Sequence, residues 1–275
     1  MSMNPFDRQA PIAGIKKIVA VGSGKGGVGK STVAVNLALA LKEIGHKVGL
    51  LDADIYGPSI PRLMGAVNQP IQFGQASSPG SAKKMEPLFR HGIKLMSMGF
   101  LVNENQAVVW RGPMLFKAFE QFFRDVNWGE LDYLVIDLPP GTGDVALTIA
   151  QKVPVSGAIV VTTPQNLALV DAKKAIDMFG QIHIPVLGVV ENMAYFLAPG
   201  SGGSEGKSSG DGDRISLFPR GELDAYLDAH QLKKLAEIPF EQSVGLACEA
   251  GMPTVVSDSA SIAAQEFLRA AREIA

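Results

Sequence analysis

Residues 22–32 read GSGKGGVGKST, and no other stretch of the chain narrows the possible folds so far. Gly24-Lys25-Gly26-Gly27-Val28-Gly29-Lys30-Ser31 satisfies the GxxxxGK(S/T) spacing in full. The loop sits between KKIVAVGS (16–23), an apolar run of strand length, and STVAVNLALALKEIG (31–45), which is apolar nearly all round and stopped by Gly45. In that context the glycines turn successive backbone N–H groups inward on phosphate, and the helix amino end adds partial positive charge. Lys30 is placed to neutralise the β and γ phosphates of a nucleotide, and Ser31 offers a hydroxyl to magnesium. A dinucleotide turn with Asp52 or Asp54 as its acid fits less well, because triphosphate chemistry requires the terminal Lys-Ser pair and a dinucleotide does not. Lys25 has no role in that scheme.

The alternation that begins here continues along the chain. HKVGLLDAD (46–54) is a second strand ending in acids, and 55–105 is a looser stretch with two weak strand runs around His91 and Gly92. GPMLFKAFEQFFRDV (112–126) has helical spacing. LDYLVIDLPPGTGD, SGAIVVTTPQ and IPVLGVVENM are strands that each run into a polar turn, with helix LALVDAKKAIDMFG between the last two. Helix GELDAYLDAHQLKK, strand LAEIPF and a final helix from about Ser259 complete the pattern. Strand alternating with helix predicts a mostly parallel central sheet with helices on both faces, an α/β fold whose ligands lie at the carboxyl ends of the strands.

Two of those strand ends carry acids. Asp137, after the run YLVI, is placed to hold the magnesium or its water. Asp54 in LDADIYGPS is placed to orient an attacking water; the alternative is an Asx turn at Asp54, with Asp52 as the metal-side acid.

Composition bounds the rest. With 275 residues, 47% of them hydrophobic, the chain can bury a large core, and it reads as one domain over 16–275 behind an extension, 1–15. A formal net charge of -2 supplies no global basic field for nucleic acid. The single cysteine, Cys248, excludes an internal disulfide framework and suits a reducing cytoplasm. No run approaches the roughly 18 uncharged apolar residues of a membrane span. The tail SIAAQEFLRAAREIA balances two arginines against two glutamates, so it reads as packing on the body and not on a membrane. APGSGGSEGKSSGDGD (198–213) has no side chain that could anchor it and is expected to be mobile.

KGGVGKST, with LDADIYGPSIP, VVWRGPM, DYLVIDLPPGTGD, VTTPQ and VLGVVENMAYF, resembles the Mrp/ApbC branch of the MinD and ParA superfamily, the iron-sulfur cluster carrier ATPases. The resemblance runs from about Lys16 to the end of the chain. It implies a P-loop ATPase that uses ATP and Mg2+ and works as a homodimer, with iron-sulfur scaffold or client apoproteins as partners. It also answers for Lys25, which occupies the signature position of a lysine that crosses the dimer interface to the other subunit's nucleotide, as an arginine finger does. It implies further Asp54 as the water-orienting residue, Asp137 as the magnesium-side acid, Thr32 near the α-phosphate and Asn192 at the adenine. Arg111 lies in a matching block without an assigned chemistry. The chain departs from the family where Cys-Pro-x-Cys commonly follows the Tyr-Phe pair: it has Ala198-Pro199-Gly200-Ser201, and neither alanine nor serine is a soft ligand for an iron-sulfur cluster. No cluster ligand is therefore assigned. Two other classes stay open, a MinD- or ParA-like positioning switch and an ATP-binding adaptor without turnover.

Overall fold

The structure, a computed structural model, describes residues 11–55, 57–74, 83–101, 112–143, 147–148, 153–197, 214–219 and 221–275, with backbone alone at 112–117. Strand β1 (Ile15–Gly22) and helix α1 (Lys30–Glu43) flank the glycine loop. Next come β2 (Val48–Asp52), the short α2 (Ile60–Leu63), β3 (Gln72–Phe73), β4 (Met85–Glu86), β5 (Leu88–Arg90) and β6 (Ile93–Ser97). The middle of the chain forms α3 (Gly112–Arg124), β7 (Leu131–Asp137), β8 (Gly157–Thr162), α4 (Asn166–Gln181) and β9 (Val186–Glu191). It ends with β10 (Phe196–Leu197), β11 (Arg214–Ile215), α5 (Leu223–Ala229), β12 (Lys234–Glu237), α6 (Gln242–Glu249), α7 (Thr254–Ser257) and α8 (Ile262–Ile274).

Eight strands form one sheet in the order β12-β9-β8-β1-β7-β2-β6-β5. Every neighbouring pair in it is parallel except β5 with β6, which are joined through a turn at His91 and Gly92. A parallel sheet needs cover on both faces, and the sequence supplies it by alternation. Ile18 and Ala20 of β1 point to a core shared with Phe119, Phe122, Leu169 and Phe179 of α3 and α4. Val19 and Val21 point to the opposite core, built with Leu37 and Leu41 of α1 and Phe267 of α8. This explains why α1 is apolar all round. It lies between the sheet and a second layer of helices, so both of its sides are buried. The apolar face of α8 (Ala263, Ala264, Phe267, Ala270, Ala271) is spent on this layer.

The structure differs from the sequence reading in two places. The helix expected over 221–234 stops at Ala229, because Gln231 takes a left-handed backbone (φ 55°) and Lys234 already pairs with β9. The stretch 55–105 is less loose than expected: β6 is a largely buried strand paired in parallel to β2, and it extends the sheet. Phe267 is 1% exposed between α8 and α1. Phe267→Ala is expected to cost about 3–5 kcal/mol in urea unfolding, as a cavity under α1 would.

Candidate functional site

The glycine loop is held from three directions and open on the fourth. Gly141, after β7, donates its N–H to the Ser23 carbonyl at 2.9 Å. Asn192, after β9, donates its side-chain Nδ2 to the Val28 carbonyl at 2.9 Å. Gly24 lies against the backbone of Asp171 in α4, where a side chain at position 24 would overlap it. The Ser23 hydroxyl donates to the Lys25 carbonyl at 2.8 Å. At the crown of the loop, in contrast, a Cβ on Gly26 would meet nothing among the described residues nearer than Pro140 at 4.0 Å, and one on Gly27 nothing among them within 4 Å. Gly27 (φ 79°) and Gly29 (φ 81°) take the left-handed backbone that turns their amides inward. Gly29 caps α1 without a side chain, so the first amides of that helix are left to an incoming group. A preformed, open cradle of N–H groups fits a phosphate chain.

Below the cradle, charge converges. Lys30 Nζ, on a side chain only 7% exposed, lies 2.6 Å from Asp137 Oδ1 and 4.0 Å from Asp54 Oδ2. The Ser31 hydroxyl donates to Asp137 Oδ2 at 2.5 Å. Burial pushes the Asp137 carboxyl pKa up, and Lys30 and Ser31 oppose it. A hydroxyl and two carboxylates are hard oxygen donors, the set that suits magnesium. Four residues singled out in the sequence thus meet in one place.

The others fall as follows. Lys25 is partly buried, and its ammonium has no hydrogen bond or ion pair among the described residues. Thr32, in the first turn of α1, hydrogen-bonds the Cys248 thiol, whose pKa is raised by burial. Asn192 is 7% exposed, with its amide nitrogen committed to the loop. Arg111, Ala198, Ser201 and the rest of 198–213 lie outside the described residues.

Sequence reasoning missed what holds Asp54. Asp52 and Asp137 end adjacent strands in direct register, and Ser97 ends β6 opposite Asp52. The Ser97 hydroxyl donates to Asp52 Oδ2 at 2.8 Å, the Ile60 amide to Oδ2 at 3.3 Å and the Asp54 amide to Oδ1 at 3.1 Å. Asp52 therefore ties the Ser97 hydroxyl and the amides of Asp54 and Ile60 to one carboxyl. Asp54 Oδ1 accepts from the Gly57 amide at 3.2 Å, so an Asx-type turn is present while Oδ2 faces Lys30. The signal was a serine ending a strand run that reads as weak in the sequence.

Burial first, and the neighbouring Asp137 next, push Asp52 up to about 8, against the hydrogen bonds from Ser97 and the Asp54 amide. Its folded pKa lies above its ordinary value of 3.8, so the folded chain holds a proton that the unfolded chain releases. That contribution to stability is complete below about pH 4 and is lost as pH rises through 8. Nucleotide-free protein should lose stability between pH 5 and 9 more steeply than Asp52→Asn, followed by urea unfolding; parallel curves would contradict the shift.

A family model described as ParA, NUBPL iron-transfer P-loop NTPase, matches residues 14–275. The iron-sulfur cluster carrier protein of Aquifex aeolicus is 46% identical over 272 residues, covering 98% of this chain and 70% of its own. That of Escherichia coli K12 is 46% identical, covering 97% of this chain and 67% of its own. Among solved structures, a nucleotide-binding protein from Archaeoglobus fulgidus in complex with ADP is 37% identical, with a TM-score of 0.72 over 92% of both chains. The Pyrococcus furiosus cell division ATPase MinD, at 23% identity and TM-score 0.62 over 94% of this chain and 98% of its own, shares the fold. With an open phosphate cradle at the carboxyl ends of a parallel sheet and a family match over nearly the whole chain, the protein belongs to the iron-transfer P-loop NTPases of the ParA group.

Proposed function

We propose that residues 16–275 form one ATPase domain that binds and hydrolyses Mg-ATP as a homodimer and serves iron-sulfur cluster assembly or delivery. The observation that carries the reading is the meeting of Lys30, Ser31, Asp137 and Asp54 beneath an open loop crown. In the resting protein Asp137 occupies both the lysine and the serine. An incoming phosphate chain takes over the ammonium and the inward amides. Ser31 and Asp137 would hold magnesium, which when bound neutralises phosphate charge as a hard cation. Asp54, with one oxygen pinned by Gly57 and the other turned to the lysine, orients the attacking water. Lys25, with its ammonium uncommitted among the described residues of its own subunit, supplies positive charge to the nucleotide of the partner subunit during transfer.

The iron-sulfur reading comes from the named relatives and limits how this chain handles its cargo. Cys248 is buried beside Thr32 with a raised pKa, the reverse of what an exposed thiolate ligand needs. Among the described residues no group of three or more His, Cys, Asp or Glu could hold a metal ion. The cluster is then held by ligands that the protein shares with, or takes from, its partner apoproteins.

Asp54→Ala and Lys25→Ala should each bind Mg-ATP normally in calorimetry and lose hydrolysis by about a hundredfold or more. Mixed in equal amounts with free subunit exchange, the two should recover about a quarter of the wild-type rate. Half the dimers are then mixed, and each of those has one complete site of two. No recovery in mixtures shown to exchange would contradict the crossing lysine.

A further inference from the structure

We infer that α6 and α7 form a strut that positions the Asp54 loop against the phosphate loop, with Asn36 and Gly251 as positioning residues at its two ends. The inference rests on the reading that Asp54 orients the attacking water.

The first end is on α1. Asn36 is a fully buried amide within the apolar run 33–41 of α1, so both halves of its side chain need partners. Its Nδ2 donates to the Thr32 carbonyl at 2.9 Å, back toward the phosphate loop. Its Oδ1 accepts the Val255 amide of α7 at 3.1 Å. Cys248 of α6 meets Thr32 from the same side through its thiol. The first turn of α1, which carries Ser31 and Thr32, is thus tied through Asn36 to α7, with Cys248 of α6 beside Thr32.

The second end is on α2. Gly251, directly after α6, has a left-handed backbone (φ 66°) and rests on Gly65 (φ 61°), so closely that a methyl group on Gly251 would lie 2.6 Å from the Gly65 nitrogen. The β5–β6 hairpin grips both glycines: His91 Nε2 donates to the Gly251 carbonyl at 2.9 Å, and Arg90 donates to the Gly65 carbonyl at 3.0 Å. Gly65 is where α2 ends, and α2 begins at Ile60, whose amide is held by Asp52, which also holds the Asp54 amide. The route from Thr32 to Asp54 runs through the hydrogen bonds of Asn36, the short chain segment 251–255, the close contact of Gly251 on Gly65, α2 and the hydrogen bonds of Asp52. A displacement of the α1 first turn on phosphate binding has no slack in which to be absorbed before it reaches the Asp54 loop.

Plain core packing is the competing account, and it predicts lower stability with an unchanged catalytic step. Gly65→Ala loads the same contact from the other side: its Cβ would lie 3.3 Å from the Gly251 carbonyl oxygen, and the left-handed backbone at Gly65 (φ 61°) strains an alanine there, so its kcat is read only in protein shown by urea unfolding to be folded. Gly65→Ala and Asn36→Ala should each lower kcat by about tenfold while Mg-ATP affinity stays within about twofold. The double variant should be no slower than the slower single, because a strut released at one end transmits nothing from the other. Arg90→Ala, a surface change that leaves the core intact, should lower kcat in the same sense and to a smaller degree. Unchanged kcat in folded Gly65→Ala and Arg90→Ala, or losses that multiply in the double variant, would overturn the strut. Hydrogen exchange separates this from a failure of the ATPase reading: Mg-ATP should raise amide protection over 60–66 in the wild type and not in Asn36→Ala, with or without turnover. Equal protection in both would overturn the inference even in an active enzyme.

Discussion

Two buried carboxylates stand side by side at the ends of adjacent parallel strands, Asp52 on β2 and Asp137 on β7, and one buried lysine from α1 faces them. Placing like charges together in a poorly solvated interior is unfavourable unless each is neutralised or hydrogen-bonded. The fold meets this condition in two ways. Asp137 takes the ammonium of Lys30 and the hydroxyl of Ser31, while Asp52 takes the Ser97 hydroxyl and the two amides that close the next loop. The division of labour follows: one acid belongs to the phosphate loop and the other to the loop that carries Asp54. The glycine loop can stay open at its crown because its base is neutralised before any nucleotide arrives.

Much of this was legible in the sequence because the signals were local. The GKS end of the loop, the apolar runs ending at Asp52 and Asp137, and the glycine stop after α1 each follow from a few neighbouring residues, and the sheet follows from their alternation. What was not legible depends on register. That Ser97 stands opposite Asp52, and Asp52 opposite Asp137, is set by parallel pairing between strands far apart in the chain, and β6 has too mixed a pattern to announce itself. The boundary error after α5 has the opposite origin. DAHQLKK continues the helical spacing well enough; the left-handed turn at Gln231, the pairing of Lys234 with β9 and its ion pairs with Glu191 and Asp224 draw the chain into a strand.

Asn192 has a structural task that the resemblance does not announce. The resemblance points it at a base; the structure shows its amide nitrogen holding the Val28 carbonyl of the phosphate loop. Asn36 carries no motif at all. A lone asparagine in an apolar helix reads as a weak helix residue until both of its hydrogen-bond partners are seen to lie on different helices. Asn36 joins α1 to α7 where no motif marks it.

The central claim is that the nucleotide phosphates replace Asp137 as the partner of Lys30. Titration calorimetry of Mg-ATP against Lys30→Ala, compared with the wild type at the same ionic strength, tests it most directly. Loss of the only loop cation that sits beneath the cradle should weaken binding by about a hundredfold or more, since several charge-assisted hydrogen bonds go with it. An affinity within about twofold of the wild type, in a variant that unfolds cooperatively, would contradict the account.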